Sequence, residues 1–258
     1  MPEAVTSSPI DRLLAIMAQL RNPDGGCEWD LAQDFSTIAP YTIEEAYEVA
    51  DAIAGGDPGA ICDELGDLLL QVVFHSQIAA DDGLFGFDDV ANAISDKMER
   101  RHPHIFGDSK TDDVRLQWEQ IKADERDEDG QTSALAGVAL SLPALLRAQK
   151  LQGRAARVGF DWPDADGPRD KITEELAEVA NAGSEAERHE EVGDLLLAVV
   201  NYARHLGVDA EGALRDANVK FARRFAAMED RAGGSLSGLS LDAQEAHWLA
   251  VKASERRS

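Results

Sequence analysis

The sequence predicts an all-α chain made of two tandem copies of one small helical bundle. Three observations predict it. Apolar residues recur at helical spacing, strict apolar–polar alternation is scarce, and four segments of the first half return in the same order in the second. Residues Ile10 to Arg21 open the first helical pattern with Leu13, Leu14, Ile16, Met17 and Leu20. TIEEAYEVADAI (Thr42 to Ile53) then matches TEELAEVANAG (Thr173 to Gly183), so Glu44, Glu45 and Glu48 align with Glu174, Glu175 and Glu178. ELGDLLLQVV (Glu64 to Val73) matches EVGDLLLAVV (Glu191 to Val200), and each continues as a helix of about four turns. FDDVANAISDKMERR sets Val90, Ala91, Ile94 and Met98 on one side. Its Lys97-x-x-Arg-Arg101 returns as Lys220-x-x-Arg-Arg224, and WEQIK (Trp118 to Lys122) returns as WLAVK (Trp248 to Lys252). The polar, densely charged stretch from Glu125 to Gly137 reads as an exposed linker. The domains are therefore expected at residues 1–125 and 138–258, joined by 126–137. Units of four or five helices at this size often need a partner to complete a core.

Composition narrows the function. The chain has 258 residues, 44% of them hydrophobic, and a formal net charge of -24. Such a field opposes nonspecific binding to nucleic acid or to an anionic membrane. An anionic substrate would need a metal or a local basic cluster. The two cysteines, Cys27 and Cys62, read as free thiols of a cytoplasmic protein. The N-terminal stretch lacks the basic and apolar regions of a signal peptide, and no apolar run reaches the ~18 residues of a membrane span.

The acids carry the chemistry. Residues three apart share a helix face, so Glu45 pairs with Glu48, and Glu64 with Asp67. The second half pairs Glu175 with Glu178, and Glu191 with Asp194. At 100° per residue, Glu64, Asp67, Gln71 and His75 form one narrow polar stripe on an otherwise apolar helix. The matching stripe is Glu191, Asp194, Ala198 and Tyr202. A helix this apolar is expected to be largely buried, so its acids must face an internal polar site. Converging carboxylates need a cation, and oxygen donors without Cys or His suit Mg²⁺, with Mn²⁺ a possible substitute. Magnesium held this way completes its shell with water and substrate phosphates, which points to phosphoryl or nucleotidyl chemistry. Two bland alternatives stand beside this. An E-x-x-E pair also suits a solvated face, and Thr42-x-x-Glu45 fits a capping box with Thr42 as N-cap. Gly66 and Gly193, unfavourable in helices, are expected to mark close helix packing.

These residues resemble the MazG family of nucleoside triphosphate pyrophosphohydrolases. The resemblance spans nearly the whole chain. It rests on DRLLAIMAQLRNPDGGCEWD, TIAPYTIEEAYEV, ELGDLLLQVVFH, DKMERRHPHIF, GFDW and EEVGDLLL. It implies tandem MazG-type helical bundles that dimerise to complete four-helix cores. It also implies Mg²⁺-dependent hydrolysis of nucleoside triphosphates to monophosphate and pyrophosphate, in housekeeping or stress-related nucleotide pool control. Carried over by position, Glu175, Glu178, Glu191 and Asp194 would hold the metal in the second domain. Glu45, Glu48, Glu64 and Asp67 would do so in the first. The resemblance favours the second domain for hydrolysis and leaves open whether the first only binds nucleotide.

In the expected mechanism, water attacks the α-phosphorus in line and pyrophosphate leaves. Glu174 reads as a water-orienting base or a surface acid, with Glu175 beside it. Lys220, Arg224 and Lys252 are candidate triphosphate contacts, and Trp248 is either a base-stacking ring or a core residue. Lys97, Arg101, Trp118 and Lys122 are their first-copy counterparts. His102 and His104 flank Pro103 and read as structural. A di-iron carboxylate bundle needs E-x-x-H on two helices; the matching positions here are E-x-x-E and E-x-x-D, so no His is supplied there.

Overall fold

The computed structural model describes residues 8–107 and 133–255. Trp118, Lys122 and most of the expected linker lie outside them. The chain divides into two compact units, Met1–Lys122 and Ala123–Ser258. The first contains α1 (Pro9–Leu20), α2 (Glu28–Leu31), α3 (Phe35–Gly55), α4 (Pro58–Asp81), α5 (Phe87–Arg101) and α6 (Pro103–Phe106). The second contains α7 (Ala144–Arg157), α8 (Asp166–Asn181), α9 (Glu185–His205), α10 (Ala210–Ala232) and α11 (Leu241–Glu255). No strand occurs among the described residues, as the scarce alternation predicts. No helix is long and apolar enough to cross a membrane.

Local chemistry sets the two helix pairs that carry the acids. Asp34 caps α3 by accepting from the backbone N–H groups of Ser36 and Thr37 at 2.8 and 2.9 Å. Gly56, at φ 74°, ends the helix in the left-handed region that glycine tolerates best. Asp57 immediately caps α4, with Pro58 at its first position. So short a connection folds α3 and α4 back on each other. In the second unit, α8 and α9 are joined through Ala182, Gly183 and the N-cap Ser184, which accepts from Glu187 N–H at 3.2 Å.

The Thr42 capping box is not formed. Helix α3 starts earlier because Asp34 supplies the cap, so Thr42 is interior. Its hydroxyl lies 3.5 Å from the Ile38 carbonyl and 3.0 Å from His75 Nε2 instead.

Met17, Ile38, Val73, Phe74 and Ile78 form the first core, flanked by Leu13, Leu14, Leu70 and Phe87. In the second unit, Met228, Leu236 and Val251 cluster with Trp248 against them. Replacing Met17, 1% exposed, by Ala should cost about 2 to 5 kcal/mol, read as a lower urea midpoint at unchanged slope.

The acid-bearing helices are less buried than their apolar sequences predict. On α4, Leu65, Leu69 and Val72 are exposed, and on α9 so are Leu196, Leu197 and Val199. The close packing expected at Gly66 and Gly193 is likewise not found, because a Cβ added to either meets no atom within 4 Å. Cys27 and Cys62 are free thiols.

Candidate metal centre and nucleotide site

The helix pairs bring the acids together as their spacing requires. Carboxylate oxygens of Glu45, Glu48 and Glu64 lie within 4.8 Å of one another, and so do those of Glu175, Glu178 and Glu191. Asp67 and Asp194 are exposed and fall outside these tight groups, yet each acts on its cluster through charge. Burial raises the Glu45 and Glu64 pKa values, and neighbouring carboxylates add to it: Asp67 and Glu48 on Glu45, Glu48 and Asp67 on Glu64. Burial, then Glu175 and Asp194, push Glu191 up. Glu178 is raised first by its hydrogen bond with Glu175, then by burial. Both clusters therefore resist full ionisation on their own.

The two clusters have different company. Gln71, buried on α4, donates from Nε2 to Glu45 Oε1 at 3.4 Å. Gln71 Oε1 and His75 Nδ1 are buried without a partner. Burial lowers the His75 pKa, and its ring stacks on Phe35 with centroids 5.7 Å apart. In the second cluster Lys171 takes the corresponding role. Its Nζ lies 2.6 Å from Glu175 Oε1 and 2.8 Å from Glu174 Oε1, and these bonds raise its pKa. Sequence reasoning missed Lys171. The signal was its position four residues before Glu175 on one helix face.

Glu175 is the atom-level argument for a cation. The residue is 3% exposed, and its Oε2 has no hydrogen-bond partner. A buried carboxylate oxygen left uncompensated is costly. An oxygen-only donor set fits a hard divalent ion, so the residues present suit the metal that the spacing predicts. Glu174, by contrast, is exposed and its side chain reaches only Lys171 among the described residues.

Among the candidate phosphate contacts, Arg224 and Trp248 lie together. Arg224 donates to Glu255 Oε2 from Nε and Nη2 at 2.8 and 2.6 Å, and Arg223 donates to Glu255 Oε1 at 2.8 Å. Trp248 lies under the Arg224 guanidinium at 5.8 Å and against Phe221 at 5.6 Å. Lys220 is exposed, and Lys252 is half-buried. No described hydrogen bond or ion pair joins Lys220, Arg224, Trp248 or Lys252 to Glu175, Glu178, Glu191 or Asp194. In the first unit, Lys97 and Arg101 are half-buried on α5. His102 Nδ1 sits 2.7 Å from the Met98 carbonyl, and neither His102 nor His104 enters a metal-competent group of described residues.

A cavity of about 360 Å³ lies at the α7–α9 side of the second unit, lined by Gln152, Phe160, Trp162, Asn201 and Arg204 among others. Asp161 there bonds Arg204 and, at 3.0 Å, His205. These partners hold the Asp161 pKa low against the opposing effect of burial. The motif GFDW marked this region in sequence, but not the cavity.

A family model described as the MazG nucleotide pyrophosphohydrolase domain matches residues 33–106. That stretch includes α3, α4 and all four acids of the first unit. The chain is also similar to the nucleoside triphosphate pyrophosphohydrolase of Escherichia coli (strain K12), with 51% identity over 257 residues, 95% of this chain and 98% of that protein. It is 43% identical to a Thermotoga maritima protein named nucleoside triphosphate pyrophosphohydrolase/pyrophosphatase MazG, over 94% of this chain and 95% of that one. A Bacillus subtilis protein, YabN, matches at 43% identity over 95% of this chain and 52% of its own length.

Proposed function

Because the chain belongs to the MazG family of nucleotide pyrophosphohydrolases, we propose that it hydrolyses nucleoside triphosphates to nucleoside monophosphate and pyrophosphate in the presence of Mg²⁺. The observation that carries this reading is the second acid cluster, where the buried Glu175 offers an unpartnered oxygen beside Glu178 and Glu191.

Glu175, Glu178, Glu191 and Asp194 would hold the ion. Bound there, Mg²⁺ would offset triphosphate charge and acidify an adjacent water. The reaction adds water across one bond. The water oxygen bonds to the α-phosphorus, the bond to the bridging oxygen breaks, and pyrophosphate departs. Glu174, held by Lys171 and open to solvent, is suited to orient that water and accept its proton. Lys220, Arg224 and Lys252 would neutralise the leaving phosphates. For Arg224 this requires release from Glu255, whose Oε2 now accepts from both Nε and Nη2, the two donors a phosphate would take over. The first unit keeps its acids, but its Glu45 has the neutral partner Gln71, and we read this unit as a nucleotide-binding copy with little hydrolysis of its own.

Product analysis tests the reading. With Mg²⁺ and a nucleoside triphosphate, monophosphate and pyrophosphate should accumulate in equal amounts. Orthophosphate and diphosphate would reject it.

We also propose a homodimer whose second copy covers the exposed apolar flanks of α4 and α9. Support comes from Leu69 and Leu196, which are 40% and 51% exposed in the single chain. Sedimentation should give about twice the 27.9 kDa chain mass, and Leu196→Glu should reduce it to one chain. A wild-type monomer would contradict this.

A further inference from the structure

The two acid clusters share a plan but differ at the position four residues before the first glutamate of each E-x-x-E. Aligning Glu45 with Glu175 sets Tyr41 against Lys171. Tyr41 is exposed and meets the edge of Trp29, with centroids 6.4 Å apart. Lys171 instead lies 2.6 Å from Glu175 Oε1. The helix facing each pair differs in step. Gln71, 7% exposed, reaches Glu45, whereas Ala198 stands at its aligned position in the second copy and offers no polar group.

Four carboxylates with a neutral amide form a stronger cation trap than four carboxylates with an ammonium already bound. The first cluster has a free acceptor, Gln71 Oε1, buried beside it. That atom can take a hydrogen bond from a water on a hydrated ion. In the second cluster an incoming ion must displace Lys171 Nζ from Glu175 Oε1 or use the remaining oxygens, among them Glu175 Oε2. Affinity of carboxylate sites for hard cations follows ligand charge count.

We infer that Lys171 makes the two clusters unequal cation sites: the first takes up a divalent ion directly from solution, while the second is held weak until an anionic nucleotide arrives with its own ion. Lys171 thus sets the order of loading at the hydrolytic centre, and its counterpart Tyr41 leaves the first centre without such control. The inference rests on the reading of both clusters as metal sites.

Calorimetric titration of the full chain with Mn²⁺, with no nucleotide present, tests it. Two affinity classes are expected, the tighter lost in Glu64→Gln and the weaker lost in Glu191→Gln. Lys171→Gln should tighten the weaker class by about tenfold or more, and Lys171→Arg should leave it weak. Tyr41→Lys, which puts an ammonium within reach of Glu45, should weaken the tighter class. If Mn²⁺ binds but Lys171→Gln changes neither class, or if Glu191→Gln removes the tighter one, the inference fails while the metal reading stands. If the chain binds no Mn²⁺ at all, both fail.

Discussion

Replacing Glu191 by Gln should lower the turnover of nucleoside triphosphate by about a hundredfold or more while helicity and melting cooperativity persist. Glu191 lies on α9, its oxygen within 4.8 Å of oxygens from Glu175 and Glu178 on α8. The substitution removes one unit of negative charge and a hard oxygen donor without changing side-chain volume. It also relieves repulsion, since burial and the charges on Glu175 and Asp194 raise the Glu191 pKa. The variant should therefore melt no lower than the metal-free parent. A stable but inactive chain is the signature of a ligand residue and would separate that role from a structural one. Glu64→Gln, made beside it, should leave most turnover in place if the second unit is the hydrolytic one. Equal losses in the two variants would assign catalysis to both units.

The second large effect is the dependence on metal and pH. Chelation should abolish pyrophosphate release, and Mg²⁺ should restore it. The same ion should raise the melting temperature, because it binds the folded clusters and not the unfolded chain. The sign of the pH dependence follows from the carboxyl groups. Glu45, Glu64, Glu178 and Glu191 all have folded pKa values above their ordinary 4.5. In the metal-free chain their contribution to stability is present below that ordinary value and is lost as pH rises through the raised values. At neutral pH the ionised clusters repel, and Mg²⁺ has most to offset. The melting shift produced by saturating Mg²⁺ should be greatest at about pH 8 and shrink toward about pH 5, as protons reoccupy the clusters. Asp161 and Glu255 behave oppositely. Their pKa values are lowered, so their contributions persist at neutral pH and are lost only in stronger acid. A Mg²⁺ shift that grows on acidification would contradict the assignment of the clusters.

The acid clusters were legible in the sequence because their geometry is local twice over. An i, i+3 spacing fixes each pair on a face, and the short turn through Gly56 and Asp57 folds one pair onto the other. The start of α3 was not legible from Thr42, since a stronger cap stands eight residues earlier at Asp34 and its two backbone hydrogen bonds decide the outcome. Lys171 is not marked by the repeat, which singles out residues the copies share, whereas Tyr41 stands at its aligned position in the first copy. The Arg224–Glu255 clamp joins residues 31 apart on different helices, which no periodicity encodes. The exposure of Leu65, Leu196 and Leu197 also ran against expectation. An apolar helix specifies that its face be covered, and does not specify whether the cover comes from its own chain.

Hydrolysis in oxygen-18 water tests the central claim most directly. Attack at the α-phosphorus leaves the label on the nucleoside monophosphate and none on the pyrophosphate. Label recovered in pyrophosphate would mean attack at the β-phosphorus, and the proposed chemistry of the Glu175 centre would be wrong.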